Sequence, residues 1–195
     1  VFVPSDAVVG EAAWVSVKAE DRWGNPATAY RGTVGFESGG DAALPPVYTF
    51  TEEDAGAHRF KTLTFSRPGP QWVNVKDKRE GLAATSNAIV VHERGPELKL
   101  YWGDLHGQTE STVGTGTLDQ YFRYARDASA LDFASHAAND FQITKEHYRD
   151  TQRAVKEFHA PGEFITFLGY EWSGNTPAGG DHNVYFLDDG QPIHR

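Results

Sequence analysis

The chain has 195 residues, 39% hydrophobic and 13% aromatic, which gives material for one large or two small packed domains and argues against a disordered chain. A formal net charge of -9 with no clustered Lys and Arg excludes a nucleic-acid surface; the densest basic stretch, Lys76 to Glu80, is interrupted by acids. No cysteine is present, which removes disulfides, thiolate metal sites and a cysteine nucleophile, and no run reaches the ~18 apolar residues of a membrane helix.

In chain order, residues 1–94 read as an all-β domain. Val15, Val17 and Ala19 alternate with Trp14, Ser16 and Lys18, as on a half-buried strand. Asp21 to Pro26 is a turn by its Gly, Asn and Pro. Strand-like runs follow at Gly32–Phe36, Gly56–Phe65, Gln71–Val75 and Asn87–Val91, with Pro68-Gly-Pro70 between two of them. Short strands with regularly placed turns predict a β-sandwich.

Residues 95–195 change period. Leu98 to Trp102 predicts a short apolar strand, and Thr117 with Gln120 forms a capping box for a helix from Leu118 to Ala128. Leu131 to Ser135 predicts a second strand. Thr144 caps a second helix that Pro161-Gly162 ends, with Tyr148, Val155 and Phe158 on one face. Phe164 to Tyr170 is a third strand, apolar almost throughout, and Asn183 to Leu187 a fourth. Strand, helix, strand, helix, strand predicts a parallel α/β layer.

The chemistry-bearing residues fall near the ends of those strands. Asp104, His106 and Gln108 follow the first; His136, Asn139 and Asp140 the second; Glu171 the third; Asp181 and His182 edge the fourth. The carboxyl ends of parallel strands gather on one rim, where imidazoles and carboxylates suit Zn, Mn or Fe in the absence of thiolates. A carboxylate such as Glu171, beside a buried strand, needs a partner, either a metal or a cation. His58, His92, His147, His159 and His194 read as structural. Ser173 to Gly180 is glycine-rich without a phosphate-loop pattern and reads as a flexible rim loop; Ser111 and Thr112 lack a nucleophile elbow.

Two resemblances follow from particular motifs. Val15 to Pro26, Tyr30 to Phe36 and Tyr48 to Phe60 resemble bacterial immunoglobulin-like or filamin-like repeats, with their D-x-x-G-N turn and Y-T-F-T-x-x-D-x-G-x-H-x-F strand pair. That implies a spacer or interaction module and leans toward a periplasmic or extracellular setting. Trp102 to Thr109, Leu131 to His136, Phe167 to Glu171 and Asp181 to Phe186 resemble, in order, motifs of the polymerase and histidinol phosphatase (PHP) superfamily. Gly116 to Arg126, Asn139 to Thr144 and Gly169 to Thr176 resemble its large bacterial members grouped under a domain of unknown function.

The second resemblance implies a distorted β/α barrel with a multi-metal centre that hydrolyses phosphate esters. His106, His136, Glu171 and His182 match ligand positions, and Gln108 stands where a second His is usual. Ser135 stands in place of an Asp ligand, with Asp140 the candidate to compensate. Asp104 is expected to orient His106. Four strands are too few to close a barrel. The chain also contains no methionine and shows no signal peptide. It is therefore expected to be a piece of a longer protein whose C-terminal part completes the site.

The resulting expectation is a multi-domain chain: an immunoglobulin-like sandwich over 1–94, then the α/β first part of a PHP-type barrel over 95–195. Its function would be a divalent-metal-dependent hydrolase acting on a small-molecule ester, with no nucleic-acid or membrane partner. The alternative is a binding or structural protein with a degenerate domain, which Gln108 and Ser135 favour.

Overall fold

A computed structural model describes residues 1–174 and 179–194. The chain divides into two compact units, Val1–Tyr101 and Trp102–Arg195. The division falls a few residues beyond the expected 94/95 boundary, because the backbone amide of Leu100 donates to Asp6 Oδ2 at 2.9 Å and holds the connecting segment against the first unit. That amide and His92 keep the Asp6 carboxyl below the usual carboxylate range.

The first unit is all-β. Its strands are β1 (Asp6–Val8), β2 (Ala12–Lys18), β3 (Thr33–Ser38), β4 (Ala42–Ala43), β5 (Tyr48–Thr49), β6 (Ala57–Phe65), β7 (Gly69–Gln71), β8 (Val73–Asp77), β9 (Leu82–Thr85) and β10 (Ile89–His92). Sheets ordered β2-β6-β4 and β5-β3-β8-β9 contribute to one core, with a small third sheet, β1-β10-β7. Val15, Val17, Phe60, Leu63, Phe65, Val34, Val73 and Val75 fill that core from both main sheets, as in a sandwich. The predicted alternation on β2 holds for Val15 and Val17. Ser16, placed on the open face, is buried because Phe2 pairs with it as an extra edge.

The Tyr48–Phe60 motif has a local physical basis. Asp54 accepts from the Thr51 amide at 2.6 Å and from Tyr48 Oη at 2.9 Å, and meets His58 Nδ1 at 2.6 Å. Burial raises the Asp54 pKa, but these hydrogen bonds outweigh it and hold the carboxyl below its ordinary value. The rings of Tyr48, His58 and Phe60 pack against one another beside it.

The second unit contains β11 (Gly103–Gly107), β12 (Phe133–His136), β13 (Ile165–Ser173) and β14 (Asp181–Phe186), in that order across one sheet. Helix α1 (Leu118–Arg123) passes into a π-helical turn over Tyr124–Ala128, and α2 is Lys145–Phe158. The Thr117–Gln120 capping box and the Thr144 cap both form. Leu118, Phe122, Tyr148, Val155 and Phe158 meet Ala134, Leu168 and Tyr170 in the core between helices and sheet.

Two expectations need correction. Leu98 to Trp102 is not a strand: Leu98, Leu100, Tyr101 and Trp102 are exposed, and β11 begins at Gly103, where its pairing with Phe133 starts. The sheet is also mixed. β11, β12 and β13 are parallel, but β14 returns antiparallel, pairing Glu171 with Asn183 and Trp172 with His182. The intervening stretch, residues 174–180, is shorter than the roughly dozen residues a parallel crossover needs. Of the glycine-rich rim segment, residues 175–178 lie outside the described residues.

The four-stranded sheet is strongly curled. Tyr185 Oη on β14 donates to the Leu105 carbonyl on β11 at 2.7 Å, although three flat strand spacings would separate these edges by roughly 14 Å. The face bearing Tyr185, Asn183 and Glu171 is therefore concave. The two helices pack on the opposite face.

Candidate functional site

His106 lies on β11, within a bulge between Asp104 and Gly107. Asp104 Oδ1 accepts the His106 backbone amide at 2.9 Å, and Asp104 Oδ2 faces Tyr121 Oη at 3.5 Å. Asp104 thus shapes the bulge rather than orienting the imidazole, which corrects its expected role. Burial and the neighbouring Asp104 charge raise the Tyr121 pKa far above its ordinary value, so Tyr121 stays a neutral donor. Gly107 is small because the Tyr121 ring passes over it: a Cβ there would lie 2.1 Å from that ring. Gly169 is small for a similar reason, since its Cβ would lie 2.7 Å from Ser135 Oγ.

Glu171, 8% exposed, is the hub. Its Oε2 accepts from Asn139 Nδ2 at 2.7 Å and Gln108 Nε2 at 2.8 Å, and meets His106 Nε2 at 3.1 Å. Asn183 Nδ2 approaches His106 Nδ1 at 3.2 Å from the β14 side. An amide nitrogen only donates, so Nδ1 accepts and the imidazole proton sits on Nε2, directed at Glu171. The cluster opens into a cleft of about 790 Å³ at the carboxyl ends of the parallel strands.

The other expected site residues fall elsewhere. Gln108 Nε2 also donates to the Ala137 carbonyl at 2.9 Å, while its Oε1 accepts from Thr112 Oγ1. A carbonyl cannot donate, so the amide orientation is fixed. Gln108 therefore serves Glu171 as a donor and not a metal as an oxygen ligand. His136 points to the helix face: Ala134 and His136 alternate with Phe133 and Ser135 along β12, and its Nε2 meets Thr109 Oγ1 at 3.0 Å. Its ring lies 5.7 Å from that of His147, centroid to centroid, and its Nδ1 has no hydrogen-bond partner among the described residues. Burial, and secondarily His147, push its pKa down to about 3, so it is a neutral core imidazole.

His182 pairs with Trp172, one register step from Glu171. It is exposed, with Nε2 2.8 Å from the Gly179 carbonyl. Asp140 is buried and accepts the Ser173 amide at 3.3 Å, tying a loop to the end of β13. The four expected ligands thus separate: His106 and Glu171 meet, and His136 and His182 do not join them. Sequence reading selected neither Asn183 nor Tyr185. The short stretch 174–180 was the available signal, since a hairpin sets Asn183, not His182, opposite Glu171.

Among the described residues, no group of three or more His, Cys, Asp or Glu side chains is placed to hold one metal ion. His106 Nε2 and Glu171 Oε2 nevertheless fit part of such a site. Two donors 3.1 Å apart are spaced as neighbouring ligands around one ion at about 2.1 Å.

The chain resembles several known proteins. It is 24% identical to an uncharacterized protein of Chlamydia muridarum over 97% of the chain and 31% of that protein. It is 22% identical to one of Chlamydia trachomatis over 97% of the chain and 31% of that protein. The chain thus spans less than a third of the length of these curated relatives. Among solved structures, the D0-D1 domain of intimin is 16% identical over 47% of this chain and 47% of that one, with a TM-score of 0.36. Residues 104–195, which hold the whole cluster, match the family described as "Protein of unknown function (DUF3604)".

Proposed function

We propose that the second unit is the first part of a divalent-metal-dependent hydrolase domain of PHP-like type, acting on ester substrates. The observation that carries this reading is the His106–Glu171 pair at 3.1 Å, set in a concave cleft and surrounded by amides from three other positions. A metal ion held there would lower the pKa of a bound water toward neutrality and polarise the ester oxygen. Two ligands are fewer than a bound ion needs, so the remainder would come from further residues of the longer protein.

The chain's own side chains prepare the pair. Asn139 and Gln108 fix the Glu171 carboxylate by donating to Oε2. For Nε2 to hold an ion, the His106 proton would move to Nδ1 and Asn183 would turn its carbonyl oxygen to accept it.

The test is elemental analysis and turnover of the purified full-length protein on chromogenic ester substrates with Mn, Zn or Fe. His106→Ala and Glu171→Ala serve as controls. Bound metal, with turnover that both substitutions abolish, is the expected outcome. Absence of metal, or turnover indifferent to both, overturns the reading. One observation favours a binding protein without turnover: amides, not imidazoles or carboxylates, supply most of the polar groups around Glu171. Ligand binding with neither metal nor turnover would select that alternative.

A further inference from the structure

The cleft beyond the His106–Glu171 pair carries its own chemistry. No Lys or Arg is among the described residues that line it, and two carboxylates, Glu171 and Asp181, face it. A phosphate monoester brings close to two negative charges and is ordinarily met by Arg, Lys or rows of backbone amides. Apart from an ion held by His106 and Glu171, its oxygens would meet only the Asp181 carboxylate and neutral groups.

Two lining groups have no side-chain partner among the described residues. The Gln142 side-chain amide and the Asp181 carboxylate make no side-chain hydrogen bond among the described residues. Together they offer an amide donor and acceptor and a charged acceptor. Vicinal hydroxyl groups, each both donor and acceptor, are complementary to such a set. Phe141, at the same rim, is 68% exposed. A large aromatic face left open beside polar groups suits a partner with one apolar face and a polar edge, as the C–H face of a sugar ring provides.

We infer that the cleft takes an uncharged, hydroxyl-rich substrate of carbohydrate type in preference to an anionic phosphate ester. The inference rests on the hydrolase reading of this site only for the chemical step; sugar recognition stands on the lining. Phe141 stacks on the ring, and Gln142 and Asp181 read its hydroxyls.

The experiment titrates full-length protein, with and without added Mn²⁺, against neutral trisaccharides (malto-, cello-, xylo- and chitotriose) and against glucose 6-phosphate. Binding is followed by saturation-transfer NMR and calorimetry. At least one trisaccharide is expected to bind at least about tenfold more tightly than glucose 6-phosphate. Phe141→Ala weakens that binding about tenfold and Gln142→Ala severalfold, with metal content unchanged. Failure of every trisaccharide to bind, tighter binding of the phosphate, or binding indifferent to Phe141→Ala overturns the inference. Metal and turnover measured on the same samples separate the two readings. Sugar binding without metal or turnover breaks only the hydrolase reading. Metal-dependent turnover of phosphate esters without sugar binding breaks only this one.

Discussion

Each unit holds a buried carboxylate against an imidazole, and the two pairs are built differently. In the sandwich, Asp54 meets His58 at 2.6 Å, and its remaining donors, Thr51 and Tyr48, lie within six positions along the chain. In the α/β unit, Glu171 meets His106 at 3.1 Å across 65 positions, and its other donors arrive from Gln108 and Asn139. The first pair is packed under aromatic rings. The second faces a cleft of about 790 Å³. A carboxylate satisfied by its own neighbours staples a turn. One that gathers groups from distant strands at an open mouth lies within reach of whatever enters the cleft.

The widest separation between the pairs comes from their removal. Glu171→Gln, nearly isosteric, should lower metal-dependent turnover of the full-length protein by at least about 100-fold, while Asp54→Ala leaves turnover per folded molecule unchanged. Kinetics on both variants checks this, and equal losses would erase the distinction. The converse is in stability. Asp54→Ala should cost about 3 kcal/mol in the sandwich transition, because several donors to a charged group are orphaned at once. Urea denaturation followed by the fluorescence of tryptophans in that unit reads it.

A third imidazole, His136, sharpens the contrast through pH. Its folded pKa of about 3 lies below the unfolded value near 6.5, so between these limits the unfolded chain binds the extra proton. The stability it protects is complete above about pH 6.5 and is lost as pH falls toward 3, at roughly 1.4 kcal/mol per pH unit in that window. Denaturation of wild type and His136→Leu between pH 7 and 4.5 should show a shallower slope in the variant. The smallest effect belongs to the curl: Tyr185→Phe removes one hydrogen bond to the Leu105 carbonyl and should cost about 1 kcal/mol. A thermal melt of the variant checks it, and no change would mean that backbone pairing alone holds the curvature.

Much of this architecture was legible from local chemistry. The Thr117–Gln120 box, the Thr144 cap and the Val15/Val17 alternation are rules of neighbouring residues, and each is realised. His106 and Glu171 were legible because they end strands of a recognisable order. What sequence could not deliver was which face each imidazole takes. His136 and His182 sit one register step from the concave face, and a step of one residue turns a side chain to the other side. That depends on the start of β11 at Gly103 and on the direction of β14, both set by pairing between distant segments. Leu98 to Trp102 misled in the same way, because an apolar run carries no statement about what will pair with it.

Because Asn183 and Tyr185 reach from the last strand of the sheet to the first, the pocket is whole only while all four strands are paired. β11, β12 and β13 with their helices form a layer whose pairings follow the chain, but the cradle around His106 closes only once the β14 hairpin has folded back. A ligand that binds only the closed cradle is thereby linked to β14, and its occupancy should slow hydrogen exchange there.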